Sequence, residues 1–172
     1  LGLKIFDLAL DYPTGDITCE AALSERDCAA TMAFGMEAIA GGTDLLCIGE
    51  MGIGNTTIAA AINLALYGGT AEEWTGPGTG SQGDVMERKI AAVKAAVEFH
   101  KDHLSDPLEI MRRLGGREIA AMAGAIPARF AAQSQPRAAQ PAVPPEGIGR
   151  RIRHLAYSDV AEVKKQGGMS LP

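Results

Sequence analysis

The hydrophobic positions of the chain predict short buried strands that alternate with helices. Residues 3–10 (LKIFDLAL) are largely apolar, and residues 45–48 (LLCI) form a second short apolar run. Apolar runs of this length are typical of strands that are buried on both faces. Between them, Ser24 can cap a helix whose third position is Asp27, and the pattern predicts a helix over residues 24–40.

The pattern predicts three more helices, over residues 56–67, 84–103 and 107–114. Residues 118–126 (EIAAMAGAI) fit a strand or a helix equally well, because alanine and glycine blur the periodicity. A strand–helix–strand order favours parallel strands joined by a right-handed crossover. We therefore expect an α/β fold: a parallel sheet with flanking helices, Rossmann-like and three-layered but incomplete, with an atypical C-terminal tail.

The composition is that of an ordinary globular chain of one domain. Of the 172 residues 47% are hydrophobic and 22% are charged, and no apolar run is long enough to span a membrane. The three cysteines, Cys19, Cys28 and Cys47, are an odd number without metal-site spacing, so we expect reduced thiols and a cytoplasmic location. The net charge of −5 argues against a nucleic-acid partner.

The charge is unevenly distributed. Residues 127–172 hold seven Lys/Arg against three Asp/Glu, a net of +4, so the total of −5 leaves −9 for residues 1–126. Five of the nine prolines also fall between positions 127 and 145. We expect residues 1–126 to form a nucleotide-binding core, and residues 127–172 to be a Pro/Arg/Ala-rich divergent tail, either disordered or containing a short helix.

The strongest candidate for chemistry is the glycine-rich turn that follows the second apolar run. Gly49, Gly52 and Gly54 precede an alanine-rich helix, and such a turn brings backbone N–H groups close to a phosphate. The turn is neither a Walker loop, because Asn55 stands where the lysine belongs, nor a dinucleotide fingerprint, because its glycines read G-x-x-G-x-G. Glu50 would repel a phosphate and is better suited to ribose hydroxyls or a positively charged ring. The alternative is a tight turn that only reverses the chain.

Two further features are ambiguous. The glycine-rich stretch of residues 75–81 is either a plain surface loop or a ligand lid. Lys89 lies near the start of a helix, where it opposes the helix dipole, which makes sense if it faces a phosphate; the alternative is a lysine that is simply solvated. His100 and His103 are three positions apart but have no closing set of metal ligands, so we expect both to face solvent and expect no metal site.

The string GEMGIGNTT (residues 49–57) resembles the nicotinate-nucleotide–dimethylbenzimidazole phosphoribosyltransferase family. Three more stretches resemble that family in the same order: DYPTGDI with the following ALS (residues 11–24), ERK (residues 87–89), and LGGREI followed by MAGAI (residues 114–126). The resemblance covers roughly residues 1–126, and four ordered motifs are far more specific than one loop.

The resemblance implies transfer of phosphoribose from nicotinate mononucleotide to 5,6-dimethylbenzimidazole. The products are α-ribazole 5′-phosphate and nicotinate, in the synthesis of the cobalamin lower ligand. It implies that Glu50 stabilises the ribose or its developing charge, and that the phosphate is bound by a set of six residues. They are Gly52, Ile53, Gly54, Asn55, Thr56 and Lys89.

The resemblance further implies a homodimer and no cofactor. It also leaves the general base unaccounted for, so we expect this chain to be a fragment that lacks it. The alternatives that the sequence leaves open are a non-catalytic ribonucleotide-binding module and an inactive truncated product.

Overall fold

A computed structural model of the chain describes residues 3–39 and 45–133, with side chains as far as residue 128. The described residues contain six α-helices and one 3₁₀ turn, Lys101–His103. The helices belong to one compact unit, Asp7–Gln135. They are α1 (Glu25–Ala38), α2 (Asn55–Tyr67), α3 (Ala71–Trp74), α4 (Asp84–His100), α5 (Pro107–Leu114) and α6 (Arg117–Gln133).

The expected α/β fold is wrong, because the described part of the chain is helical and contains no strand. Residues 3–9 and 46–50, the two segments expected as strands, are irregular. Leu45 and Ile48 are 57% and 38% exposed, whereas a strand of a parallel sheet is covered on both faces. An apolar run becomes a strand only when another backbone pairs with it, and the run itself does not specify such a neighbour.

The ambiguous residues 118–126 are helical and belong to α6. This helix continues past Pro127 to Gln133, so the proline lies within it. The remainder of the expected tail, residues 134–172, lies outside the described residues, as do the glycines at positions 41 and 42.

Helix starts agree closely with the sequence. The Ser24 hydroxyl accepts a hydrogen bond from the Asp27 amide at 3.0 Å and caps α1, as predicted. At α5, Pro107 occupies the first turn and the Asp106 carboxylate accepts from the Leu108 amide at 2.8 Å. Both caps satisfy backbone donors that the first turn of a helix leaves unpaired.

Helices α1 and α6 cross at very short range because each has a glycine at the contact. A Cβ on Gly35 would run into the Ala121 carbonyl of α6, and a Cβ on Gly124 would run into the Met32 carbonyl of α1. Neither helix could approach the other this closely with any larger residue at these two positions.

The main apolar core joins α2, α4 and α5. Its members are mostly small, which lets the helices pack closely. They are Ala60, Ala61, Ala71, Val93, Ala96, Ile110 and Leu114. A second cluster lies around α1 and α6 and contains Ala22, Leu23, Cys28 and Ala120, and Ile17 packs against both clusters.

His100 is fully buried, so the expectation that both histidines face solvent is wrong for this residue. Its Nε2 lies 3.1 Å from the Glu20 carbonyl oxygen and its Nδ1 lies 3.5 Å from Arg113 Nη1. Burial lowers the pKa of His100, against a smaller opposing effect of the hydrogen bond to Glu20. A neutral ring that donates through Nε2 and accepts at Nδ1 satisfies both contacts.

Helix α5 carries a carboxylate–arginine group, and its backbone is hydrogen-bonded to the segment that precedes α1. Glu109 pairs with Arg112 and Arg113, with N–O distances of 2.7 Å to each. These hydrogen bonds lower the pKa of Glu109 from 4.5 to about 2. The backbone carbonyls of the two arginines accept from the amides of Leu23 and Ala22, at 3.0 Å each.

Candidate functional site

The candidate site is built around the first turn of α2. Gly54 is the N-cap of this helix and has a left-handed backbone conformation with φ of 83°, which a residue with a side chain rarely adopts. No side chain caps the helix. The predicted glycine-led helix start is therefore present, and its first amides are not occupied by a capping group.

Two amides of this turn have no backbone hydrogen-bond partner among the described residues. The amides of Thr57 and Ile58 donate to the Gly54 carbonyl, at 2.8 and 3.3 Å, which leaves those of Asn55 and Thr56 without a backbone partner among the described residues. Unpaired amides at a helix N-terminus carry the positive end of the helix dipole. Ile53, just before the turn, is fully exposed, so its side chain is not part of any packed wall.

Glu50 is held by the loop itself. The Asn55 side-chain amide donates a short hydrogen bond to Glu50 Oε2 across the turn. Asn55 is only 7% exposed, and a Cβ on Gly52 would run into its amide group. The second glycine of the motif is thus required by the packing of Asn55, a function that the sequence did not indicate.

Lys89 reaches the same turn from α4. Its Nζ donates to Thr56 Oγ1 at 2.8 Å and to the Gly76 carbonyl oxygen at 2.8 Å. The structure therefore brings two of the predicted phosphate ligands, Thr56 and Lys89, into direct contact although they are 33 positions apart.

The glycine-rich stretch of residues 75–81 packs against this pair. A Cβ on Gly78 would lie 3.0 Å from Thr56 Oγ1 and 3.3 Å from Lys89 Nζ, and the φ of Gly78 is 56°. The Pro77 carbonyl accepts from the amides of Gly80 and Ser81, at 3.1 and 2.8 Å, which shapes the stretch into a turn. Sequence reasoning offered this loop as a possible lid but did not identify the carbonyl that Lys89 binds.

One buried polar group next to the loop has no partner. Thr75 is 5% exposed, and its Oγ1 makes no hydrogen bond within the part of the chain that the structure describes. Trp74 beside it is 37% exposed and donates from Nε1 to the Gly68 carbonyl at 2.8 Å, so it anchors the end of α3 to the end of α2.

The described residues contain no group of three side chains suited to hold a metal ion. The three cysteines are unpaired; burial raises the pKa of the Cys28 thiol, and Cys19 and Cys47 are exposed. No helix in the ranges that the structure describes is long and apolar enough to cross a membrane.

The start of α2 is led by a glycine, has unpaired backbone amides, and has the Lys89 ammonium beside its second residue. Together these features define a candidate phosphate-binding site. A family model described as "Phosphoribosyltransferase" matches residues 2–136. The chain belongs to this family.

Curated relatives carry the fuller name nicotinate-nucleotide–dimethylbenzimidazole phosphoribosyltransferase. The chain is 95% identical over 126 residues to the protein from Agrobacterium fabrum, and 90% identical to that from Allorhizobium ampelinum. The protein from Sinorhizobium medicae is 89% identical. Each match covers 73% of this chain but 37% of the relative, so the chain spans little more than a third of the relatives' length. The family resemblance stated from the sequence is confirmed.

Proposed function

We propose that this chain supplies the nicotinate-mononucleotide phosphate site of a nicotinate-nucleotide–dimethylbenzimidazole phosphoribosyltransferase. The reaction would transfer 5-phosphoribose from nicotinate mononucleotide to dimethylbenzimidazole and release nicotinate. The observation that carries the proposal is the contact of the Lys89 ammonium with Thr56 at the uncapped start of α2. Near identity to enzymes of that name supports the choice of substrates.

In this proposal the phosphate lies at the first turn of α2. The backbone of the GIGNT segment, Gly52, Ile53, Gly54, Asn55 and Thr56, would present amides, and Lys89 would supply a positive charge. Backbone amides and a fixed ammonium orient the phosphate without reorganising during the reaction, which is how a binding site contributes to catalysis.

Glu50 would act on the ribose. Its Oε2 accepts from Asn55, which fixes the carboxylate against the loop and leaves Oε1 for a ribose hydroxyl or for the positive charge that develops at the anomeric carbon. We assign the general base to none of the described residues.

Location and assembly belong to the same proposal. A cytoplasmic homodimer is what the family resemblance implies. The division into a nucleotide-binding core, residues 1–126, and a divergent tail, residues 127–172, also remains a proposal.

The test is calorimetric titration of the chain with nicotinate mononucleotide and with its nucleoside, which lacks the phosphate. We expect measurable binding of the nucleotide and much weaker binding of the nucleoside. Lys89→Met should weaken nucleotide binding about 10- to 100-fold, the value of a hydrogen bond to a charged group. Lys101→Met, on an exposed lysine just beyond α4, is the matched control and should change nothing.

A second pair of variants tests the glycine turn. Gly54→Val should abolish nucleotide binding, because it forces the N-cap out of its left-handed conformation. Gly68→Val makes the same change at another left-handed glycine, at the opposite end of α2, and should leave binding intact. Equal binding of nucleotide and nucleoside, or equal losses in the two glycine variants, would contradict the proposed site.

A further inference from the structure

Lys89 connects two separate segments of the chain. Its ammonium bonds the Thr56 hydroxyl on α2 and the Gly76 carbonyl in the glycine-rich loop, both at 2.8 Å. Ordering a lysine side chain costs conformational entropy, so a long side chain fixed at both contacts points to a function for this geometry.

A count of the N–H and O–H groups at this contact makes Thr56 a second hydrogen-bond donor, beside Lys89. An ammonium has three N–H groups, and Lys89 uses two of them on protein oxygens, which leaves one for a ligand. The Thr56 oxygen accepts from Lys89, so its own O–H proton is available to donate. An anion beside this pair could therefore accept one hydrogen bond from the ammonium and one from the hydroxyl.

The glycine-rich loop is shaped to fit this pair. Gly78 passes so close that an added Cβ would be 3.0 Å from Thr56 Oγ1, and its φ of 56° suits glycine. The amides of Gly80 and Ser81 close the turn onto the Pro77 carbonyl. The conformation of the loop therefore depends on the hydrogen bond from Lys89 to the Gly76 carbonyl, and on the absence of a side chain at Gly78.

We propose that the Thr56 hydroxyl orients Lys89, and that Lys89 in turn latches the loop of residues 76–81 to the start of α2. Order in the loop and affinity for a phosphate are then coupled through one ammonium group. The ligand-binding half of this inference rests on the proposed function, whereas the latch itself exists in the ligand-free chain.

The latch is tested first without ligand, by amide hydrogen exchange of the full 172-residue chain. The reporters are the hydrogen-bonded amides of Thr75, Gly80 and Ser81. Thr56→Val keeps the shape of the side chain and removes the hydroxyl, and it should raise exchange at these amides about fivefold, the effect of losing one hydrogen bond. Lys89→Met should raise it at least as much.

Two variants serve as controls for the exchange measurement. Thr56→Ser retains the hydroxyl and should match the wild type. Thr57→Val makes the same change at the neighbouring, half-buried position, and it should also leave the loop unaffected. Circular dichroism of each variant verifies that the helices are intact. Unchanged exchange in Thr56→Val, or an equal increase in Thr56→Ser, would overturn the latch.

The second arm measures binding of nicotinate mononucleotide and of its nucleoside to the same variants. We expect Thr56→Val to weaken nucleotide binding at least tenfold and nucleoside binding little, and Thr56→Ser to restore the nucleotide affinity. If the wild type binds nucleotide and nucleoside equally well while Thr56→Val raises amide exchange in the loop, the proposed function fails and the latch stands. If the nucleotide binds normally to Thr56→Val, the coupling is overturned.

Discussion

The contact between Glu50 and Asn55 allows the structural and chemical functions of Glu50 to be separated. Glu50→Ala removes the acceptor of the Asn55 side-chain amide, whereas Glu50→Gln replaces a charged acceptor by a neutral one of nearly the same shape. Only the alanine variant leaves the amide of Asn55 without its partner. The two variants should therefore differ in stability although both remove the same charge.

The size of the difference follows from burial. Asn55 is 7% exposed, so water has little access to an amide that loses its acceptor, and an unsatisfied buried donor costs about 1–3 kcal/mol. Glu50 itself is exposed, which screens the contribution of its charge. We expect Glu50→Ala to lower the free energy of unfolding by about 1–2 kcal/mol and Glu50→Gln to lower it by less than about 1 kcal/mol.

Urea denaturation followed by circular dichroism measures these differences, provided that the slope with denaturant is unchanged. Asn55→Ala provides the control, because Glu50→Ala should cost almost nothing when the amide is already absent. Equal losses in the Ala and Gln variants, together with no coupling to Asn55, would refute the structural function of this contact. With the loop intact in Glu50→Gln, any loss of nucleotide binding then reports on the carboxylate charge.

Two further predictions concern the helical frame. The pKa of Glu109 falls from 4.5 to about 2, so its ion pairs stabilise the fold fully above pH 4.5, and this contribution is lost as the pH falls towards about 2. The Glu109 side chain is 34% exposed, so we expect solvent screening to limit the loss in the free energy of unfolding to about 1 kcal/mol. Urea denaturation at several pH values should show this loss in the wild type but not in Glu109→Gln. Gly124→Val should destabilise the chain by about 2 kcal/mol or more, because its side chain would meet the Met32 carbonyl. Ala91→Val, at an exposed position of α4, should cost well under 1 kcal/mol, and similar melting temperatures for the two variants would contradict the close α1–α6 crossing.

The helix boundaries could be predicted because their signals are local. Ser24 with Asp27, and Asp106 with Pro107, place the cap and its partner within three positions, and the structure has both caps. The short apolar runs were misleading for the opposite reason. A strand is defined by its neighbours, and a run such as residues 45–48 contains no information about whether another backbone pairs with it.

Tertiary contacts account for the remaining differences at the site. The burial of His100 depends on the Glu20 carbonyl, which is 80 positions away, and no periodicity within α4 signals it. The resemblance to a family identified Lys89 and Thr56, but not the carbonyl of Gly76 that Lys89 binds. A backbone acceptor leaves no mark on the sequence, because every residue carries the same backbone carbonyl.

The geometry of the site depends on residues that lie one helical turn further along α2 and α4. Thr56 and Ala60 are four positions apart on α2, as are Lys89 and Val93 on α4, so each pair shares one face of its helix. Ala60 and Val93 are members of the same buried core. The packing of this core holds α2 and α4 together, and Thr56 and Lys89 meet across the two helices at 2.8 Å. The geometry of the proposed phosphate site therefore depends on small, closely packed residues of the helical core. A larger residue at Ala60 would move Thr56 away from Lys89 without changing either of those two side chains.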